Sequence, residues 1–174
     1  MTRRAVFLDR DGVINRAVVR EGRPYPPADL SELEILPGVV EALTRLKTVG
    51  FVLIVVSNQP DVARGTMPRA VVEAINTALR QALPIDEFIM CYHDSGDDCS
   101  CRKPKPGMLL AAASKWGLDL TTSFMVGDRW RDVEAGQRAG CKTVFVDYAY
   151  NEKQPEKVDC CVASLIEALP FICA

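Results

Sequence analysis

A doubly wound α/β sandwich on a parallel sheet is the fold this sequence predicts, and three observations predict it. Apolar runs of strand length recur without polar alternation, helical apolar stripes lie between them, and proline and glycine mark the joints. Strands that are apolar on both faces suit a sheet covered by helices on both sides, which is the habit of parallel sheets.

The first run is Ala5 to Leu8, followed by a stiff loop at Gly22 to Pro27, where prolines remove donors and fix the backbone. Pro37-Gly38 opens a helix with the stripe Val39, Leu43 and Leu46, ended by Gly50. The second run, Phe51 to Val56, leads to a helix opened by Pro68 with Val72, Ile75 and Leu79 on one face. The third run is Phe88 to Met90, and Pro106 opens a helix through Leu109, Leu110, Ala113 and Trp116 to Gly117. The fourth run, Phe124 to Val126, precedes a helix over Arg131 to Ala139 that stops before Gly140; the fifth is Thr143 to Val146. Alternation of this kind gives a three-layer, Rossmann-like sheet with right-handed crossovers. Its ligands bind beyond the carboxyl ends of the strands.

With 174 residues the chain predicts one domain spanning 1–174 with a full core. Its 21 basic and 23 acidic side chains leave a net charge of -2, so there is no broad basic field for nucleic acid. Thr2-Arg3-Arg4 runs directly into the short Ala5 to Leu8 segment, too short for a secretory leader, and no stretch approaches the roughly 18 apolar residues of a membrane span. A cytoplasmic monomer with neither a nucleic-acid nor a membrane partner is expected. Seven cysteines, an odd number, argue for thiols or metal ligands rather than a disulfide framework. Cys91, Cys99 and Cys101 cluster, whereas Cys141, Cys160, Cys161 and Cys173 are expected in the core.

The residues after successive runs are the informative ones. Asp9-Arg10-Asp11-Gly12 follows the first, Ser57-Asn58-Gln59 the second, Cys91-Tyr92-His93 the third, and Gly127-Asp128 the fourth, with Asp132 four residues later. Arg102-Lys103 precedes the third helix. In a parallel sheet these groups converge on one edge. Acids, a hydroxyl, an amide and two cations in one crevice suit phosphoryl transfer to a carboxylate. Asp9 is the candidate nucleophile. Asp11, two residues on and on the same side of an extended chain, is the candidate acid and base.

Several carboxylates facing a phosphate dianion repel it by roughly 4 kcal/mol per close pair of unit charges at a surface-like dielectric. A cation must intervene, and magnesium fits an all-oxygen set made of Asp9, the Asp11 backbone carbonyl and Asp128. Lys103 then neutralises the nucleophile and the transferring oxygens, Ser57 donates to the phosphoryl group, and Arg102 clamps another part of a small phosphorylated metabolite. Asp132 supports the shell rather than binding the ion. A calcium loop is excluded, because it wants glycine sixth and glutamate twelfth, where this chain has Gly12 fourth and Arg20 twelfth. A phospho-acceptor receiver domain is the rival reading, but it carries its accepting aspartate on a later strand, and here the third run ends in Cys91.

Asp9-Arg10-Asp11-Gly12, Ser57-Asn58-Gln59, Lys103, and Gly127-Asp128 with Asp132 resemble, in order, the four motifs of the haloacid dehalogenase superfamily of phosphatases. The chain is most similar to its capless branch, whose members act on heptose 1,7-bisphosphate at the 7-phosphate or on histidinol phosphate. The resemblance implies a magnesium-dependent sugar-phosphate phosphatase of carbohydrate metabolism, working through an aspartyl phosphate on Asp9, with histidinol phosphate as the runner-up substrate. It also implies that Asn15, Arg16, Ala17, Val18, Val19 and Arg20, together with Ser57, Asn58, Gln59 and Pro60, line the substrate pocket, and that Arg129 contacts the substrate.

The marker of that branch is Cys91-x-His93-x5-Cys99-x-Cys101, a set that closes a tetrahedral structural zinc site. Such a zinc pins the 91–101 loop and holds Arg102 and Lys103 at the site. A zinc-centred nucleic-acid module is a third reading, opposed by the acidic character of Asp94 to Asp98. One departure stands out. The family commonly reads Asn-Gln-Ser-Gly after the second strand, whereas this chain has Asn58-Gln59-Pro60-Asp61, losing one backbone donor and gaining one negative charge.

Overall fold

The computed structural model describes residues 2–174. In chain order it contains β1 (Ala5–Leu8), β2 (Val18–Arg20), β3 (Arg23–Tyr25), α1 (Val39–Thr48), β4 (Val52–Asn58), α2 (Arg69–Ala82), β5 (Glu87–Cys91), α3 (Gly107–Trp116), β6 (Phe124–Gly127), α4 (Trp130–Ala139), β7 (Lys142–Val146), β8 (Cys160–Val162) and α5 (Leu169–Ile172). Six strands form one sheet in the order β5-β4-β1-β6-β7-β8. Every pairing in it is parallel.

Two-residue periodicity divides the core between the two faces of this sheet. Val6, Leu8, Leu53, Val55 and Val126 pack with Val39, Leu43 and Leu46 of α1, Ile75 and Leu79 of α2, and Ile172 of α5. Ala5, Phe7, Ile54, Val56 and Met125 face the other way, onto Met108, Leu109 and Ala112 of α3 and Ala139 of α4. All four residues of β1 are fully buried, so Phe7→Ala would cost about 3–5 kcal/mol. Asp9 directly follows that central strand, and the chain crosses to opposite faces on its two sides, which opens the ligand crevice there.

Three expectations need correction. The Gly22–Pro27 stretch is not simply a loop, because Arg23–Tyr25 pairs antiparallel with Val18–Arg20. Glu21 (φ 51°) and Gly22 (φ 75°) form the turn between them, and two positive-φ residues match the twist of a tight hairpin. The buried stripe of α3 runs through Met108, Leu109 and Ala112, leaving Leu110 exposed, since a continuous apolar run hides its own phase. Of the four cysteines assigned to the core, Cys141 is buried and Cys161 is exposed on the short edge strand β8. Among the described residues, no helix is long and apolar enough to cross a membrane.

Candidate active site

Strand register brings the first three polar groups together. Leu8 pairs with both Val55 and Val126, and the Asp9 amide donates to the Val126 carbonyl at 2.9 Å. Asp9, Ser57 and Asp128 therefore emerge side by side at the carboxyl edge, all buried. Lys103 reaches them from the loop before α3. Its ammonium donates to Asp9 Oδ1 at 3.0 Å and to the Val56 carbonyl at 2.7 Å, and lies 2.7 Å from Asp132 Oδ1.

Burial by itself would lower the Lys103 ammonium, but Asp132 and Asp9 hold it above the ordinary lysine value, and so fully charged. Asp9 is pushed up to about 6, first by burial and then by Asp132, against the pull of Lys103. Burial, and then Asp9, also raise Asp128. Gly12 allows this crowding. Its φ is 91°, and a Cβ there would lie 2.0 Å from Asp128 Oδ2, so any side chain would evict that carboxylate.

Oxygens of Asp9, Asp128 and Asp132 lie within 4.8 Å of one another. Asp128 Oδ2 accepts from the Tyr150 hydroxyl at 2.9 Å, while Oδ1 is buried with no protein partner. A buried carboxylate oxygen left open beside two other acids suits a hard cation, and the all-oxygen donor set suits magnesium. Asp132 is closer to this group than the sequence suggests. Its two oxygens nevertheless have other duties: Oδ1 beside Lys103, and Oδ2 accepting the Arg129 amide at 3.0 Å at the start of α4.

The Asp11 side chain has its own donors. Arg10, wholly buried, gives it two contacts at 3.1 and 3.3 Å, Asn15 donates at 3.0 Å and Gln59 at 2.9 Å. The remaining Arg10 group donates to Asn76 Oδ1 of α2 at 3.0 Å. The same Gln59 amide donates to Ser57 Oγ at 2.9 Å, linking the acid to the hydroxyl. Asn58 is occupied by the backbone of Lys103, accepting its amide and donating to its carbonyl, both at 3.0 Å.

A cleft of about 280 Å³ lies above these groups, small among ligand sites. Its walls include Asn58, Gln59, Pro60, Arg102 and Arg129. The 15–20 segment stands elsewhere: Asn15 is buried under Asp11, Arg16 pairs with Glu34, and Ala17, Val18, Val19 and Arg20 do not line the cleft. Because the hairpin folds back at Glu21-Gly22, its returning arm, Arg23 to Pro26, forms that wall instead. Arg129 is bidentate to Glu152, and Arg64 binds Asp94. Arg131 also faces the cleft, with Trp130 beneath it and no carboxylate partner among the described ion pairs.

The second cluster lies beside this cleft. The sulfurs of Cys91, Cys99 and Cys101 and a ring nitrogen of His93 all lie within 4.8 Å of one another, with Cys91 Sγ 3.4 Å and Cys101 Sγ 3.3 Å from His93 Nδ1. Three sulfurs and an imidazole form a closed four-ligand set for zinc, with no position left for a reacting water. Burial, and then Cys101, push the Cys91 thiol up to about 12, so a bound cation is what would gather thiolates here. Arg102 donates to the His93 carbonyl at 3.2 Å, and Lys103 follows it directly.

Tyr148, Tyr150, Asn76 and Arg131 escape a motif-based reading. The two tyrosines lie just beyond the end of β7, where the rule of inspecting strand ends finds them. Asn76 has no such signal, being a polar residue on the buried face of a helix.

A family model described as haloacid dehalogenase-like hydrolase matches residues 18–140. The D-glycero-beta-D-manno-heptose-1,7-bisphosphate 7-phosphatase of Pseudomonas aeruginosa is 37% identical over 151 residues, covering 84% of this chain and 82% of that protein. Its namesake in Pasteurella multocida is 37% identical over 156 residues, with coverages of 83% and 82%. Among solved structures, the D,D-heptose 1,7-bisphosphate phosphatase of B. bronchiseptica, complexed with magnesium and phosphate, superposes with a TM-score of 0.81 at 31% identity over 98% of both chains. A putative phosphatase of Mesorhizobium loti gives a TM-score of 0.78 at 30% identity, over 98% of this chain and 86% of its own.

Proposed function

Because this chain belongs to the haloacid dehalogenase-like hydrolase family, we propose that it removes the 7-phosphate from D-glycero-D-manno-heptose 1,7-bisphosphate through a phosphorylated Asp9. It is a phosphoric monoester hydrolase, the activity its relatives carry by name. The observation that carries the substrate reading is the pairing of a buried Asp9–Lys103 couple on the cleft floor with Arg23, Arg102 and Arg131 in its walls. One end of that cleft suits the phosphoryl group to be cleaved, and the other suits a second anion.

In the first half-reaction an Asp9 oxygen forms a bond to phosphorus, the bond from phosphorus to the sugar oxygen breaks, and Asp11 gives that oxygen its proton. In the second, Asp11 takes a proton from a water whose oxygen attacks the same phosphorus, returning Asp9 as a carboxylate and releasing phosphate. Lys103 keeps Asp9 oriented and ionised, and Ser57, held by Gln59, donates to a phosphoryl oxygen. Asp9, Asp128 and the Asp11 carbonyl would hold magnesium, which when bound supplies positive charge against the phosphoryl oxygens. Cys91, His93, Cys99 and Cys101 would hold a structural zinc.

The test is phosphate release from the α and β anomers of heptose 1,7-bisphosphate, histidinol phosphate and simple sugar phosphates. Preference for a heptose bisphosphate, lost in Asp9→Asn while the protein stays folded, supports the reading. A preference for histidinol phosphate overturns the substrate, and turnover retained in Asp9→Asn overturns the nucleophile.

A further inference from the structure

Beyond β7 the chain turns back toward Asp128, and Tyr150 is buried there. Asp147 to Tyr150 turn sharply, with Ala149 at φ 52°, a left-handed conformation that a residue with a Cβ adopts only under constraint. Asp147 Oδ1 secures the turn by accepting the Ala149 amide at 2.8 Å. Its result is a stacked pair, Tyr148 on Tyr150, with ring centroids 5.4 Å apart and planes at 21°.

Both hydroxyls are aimed at the site. Tyr150 OH donates to Asp128 Oδ2 at 2.9 Å, and Tyr148 OH donates to the Gly12 carbonyl at 2.9 Å. Beside a carboxylate and a carbonyl, a phenol serves as donor. Asp128 is therefore held on one side by the Gly12 turn, which leaves no room for a Cβ, and on the other by Tyr150. Oδ1 is the oxygen left free, and it is the orphaned one.

We propose that Tyr150 is a positioning residue for the magnesium carboxylate: by fixing Asp128 Oδ2 it presents Oδ1 to the ion, with Tyr148 buttressing its ring and tying the same clamp to the turn after β1. The inference rests on the reading of Asp128 as a magnesium ligand. A donor on the non-coordinating oxygen sets the orientation of a metal carboxylate, and loss of such partners typically weakens metal binding by 10–100-fold.

Magnesium binding to the full-length protein without substrate, followed by calorimetry, tests this. Tyr150→Phe keeps the ring and removes the donor; it should raise the magnesium dissociation constant about tenfold. Turnover should fall at limiting magnesium and recover at saturating magnesium, a pattern that general loss of structure does not produce. An unchanged dissociation constant in Tyr150→Phe, with the unmutated protein binding normally, overturns the tyrosine's role alone. Absence of magnesium binding in the unmutated protein overturns the metal reading with it. A readout without mutation is the ultraviolet difference spectrum of the unmutated protein: magnesium should perturb a tyrosine, and a flat tyrosine region overturns the proposal even where Tyr150→Phe fails to fold.

Discussion

Lys103 Nζ sits nearer to Asp132 Oδ1, at 2.7 Å, than to Asp9 Oδ1, at 3.0 Å. The lysine is thus held by a carboxylate outside the reacting pair and reaches the nucleophile from that anchor. Asp132 also receives the Arg129 amide, so one side chain fixes both the cation of the site and the first turn of α4.

Asp132→Asn removes the charge while keeping the shape. Asparagine offers one acceptor oxygen to two donors, the Lys103 ammonium and the Arg129 amide, so the charged contact is lost while Lys103 retains Asp9 and the Val56 carbonyl. A charged hydrogen bond between buried groups is lost without leaving the lysine unpaired, so stability should fall by about 2 kcal/mol in denaturant unfolding. Turnover should fall by about 10–100-fold, as for other groups that orient a reacting shell.

The same crowding gives the metal-free protein a defined pH dependence. Asp9 is pushed up from 3.8 to about 6, first by burial and then by Asp132. Between those values the folded protein keeps a proton that the unfolded chain has released. The group therefore favours folding at low pH, and this contribution is lost as pH rises through about 6. Burial moves Asp128 in the same direction. Magnesium should accordingly raise the melting temperature more at about pH 7.5 than at about pH 5, because it binds the ionised carboxylates. Equal shifts at both would contradict the ion's place among these acids.

At the zinc loop, elemental analysis should find about one zinc per chain, as a closed four-ligand site requires. Cys99→Ala should lose it. Arg102 hangs from the His93 carbonyl and Lys103 follows, so a loosened loop misplaces the lysine. A displacement of about 1 Å at a reacting group costs about 100-fold in turnover. A zinc-free variant with full activity and stability would remove the structural role.

The legible parts of the fold and site were those written in one stretch of chain. Ala5 to Leu8 declares a two-sided strand, and Asp9 to Gly12 directly follows it. Cys91, at the end of β5, and the only histidine likewise stand two residues apart. What stayed hidden depends on where the chain returns. Gly22 reverses the hairpin, so that Arg23 to Pro26 face the cleft in place of Asn15 to Arg20. Asn58 and Gln59 stand in the cleft wall, but the sequence does not show that their amides bond Lys103, Asp11 and Ser57. Tyr150 meets Asp128 only because β7 lies beside β6.

Arg131 supplies the last prediction. Of the arginines on the cleft, Arg129 is committed to Glu152 and Arg64 to Asp94, whereas Arg131 rests on Trp130 without a carboxylate. Burial, and then Arg129, lower its guanidinium from the ordinary arginine value, so an incoming anion would relieve that repulsion. Replacing it by alanine should therefore raise KM for a bisphosphate by about tenfold, the worth of one charge-assisted hydrogen bond, and leave KM for a monophosphate of the same sugar nearly unchanged. Measuring both substrates separates recognition of the second phosphate from damage to the floor of the cleft, which would lower kcat for the two alike. Equal KM changes for both would place the second anion against Arg23 or Arg102 instead.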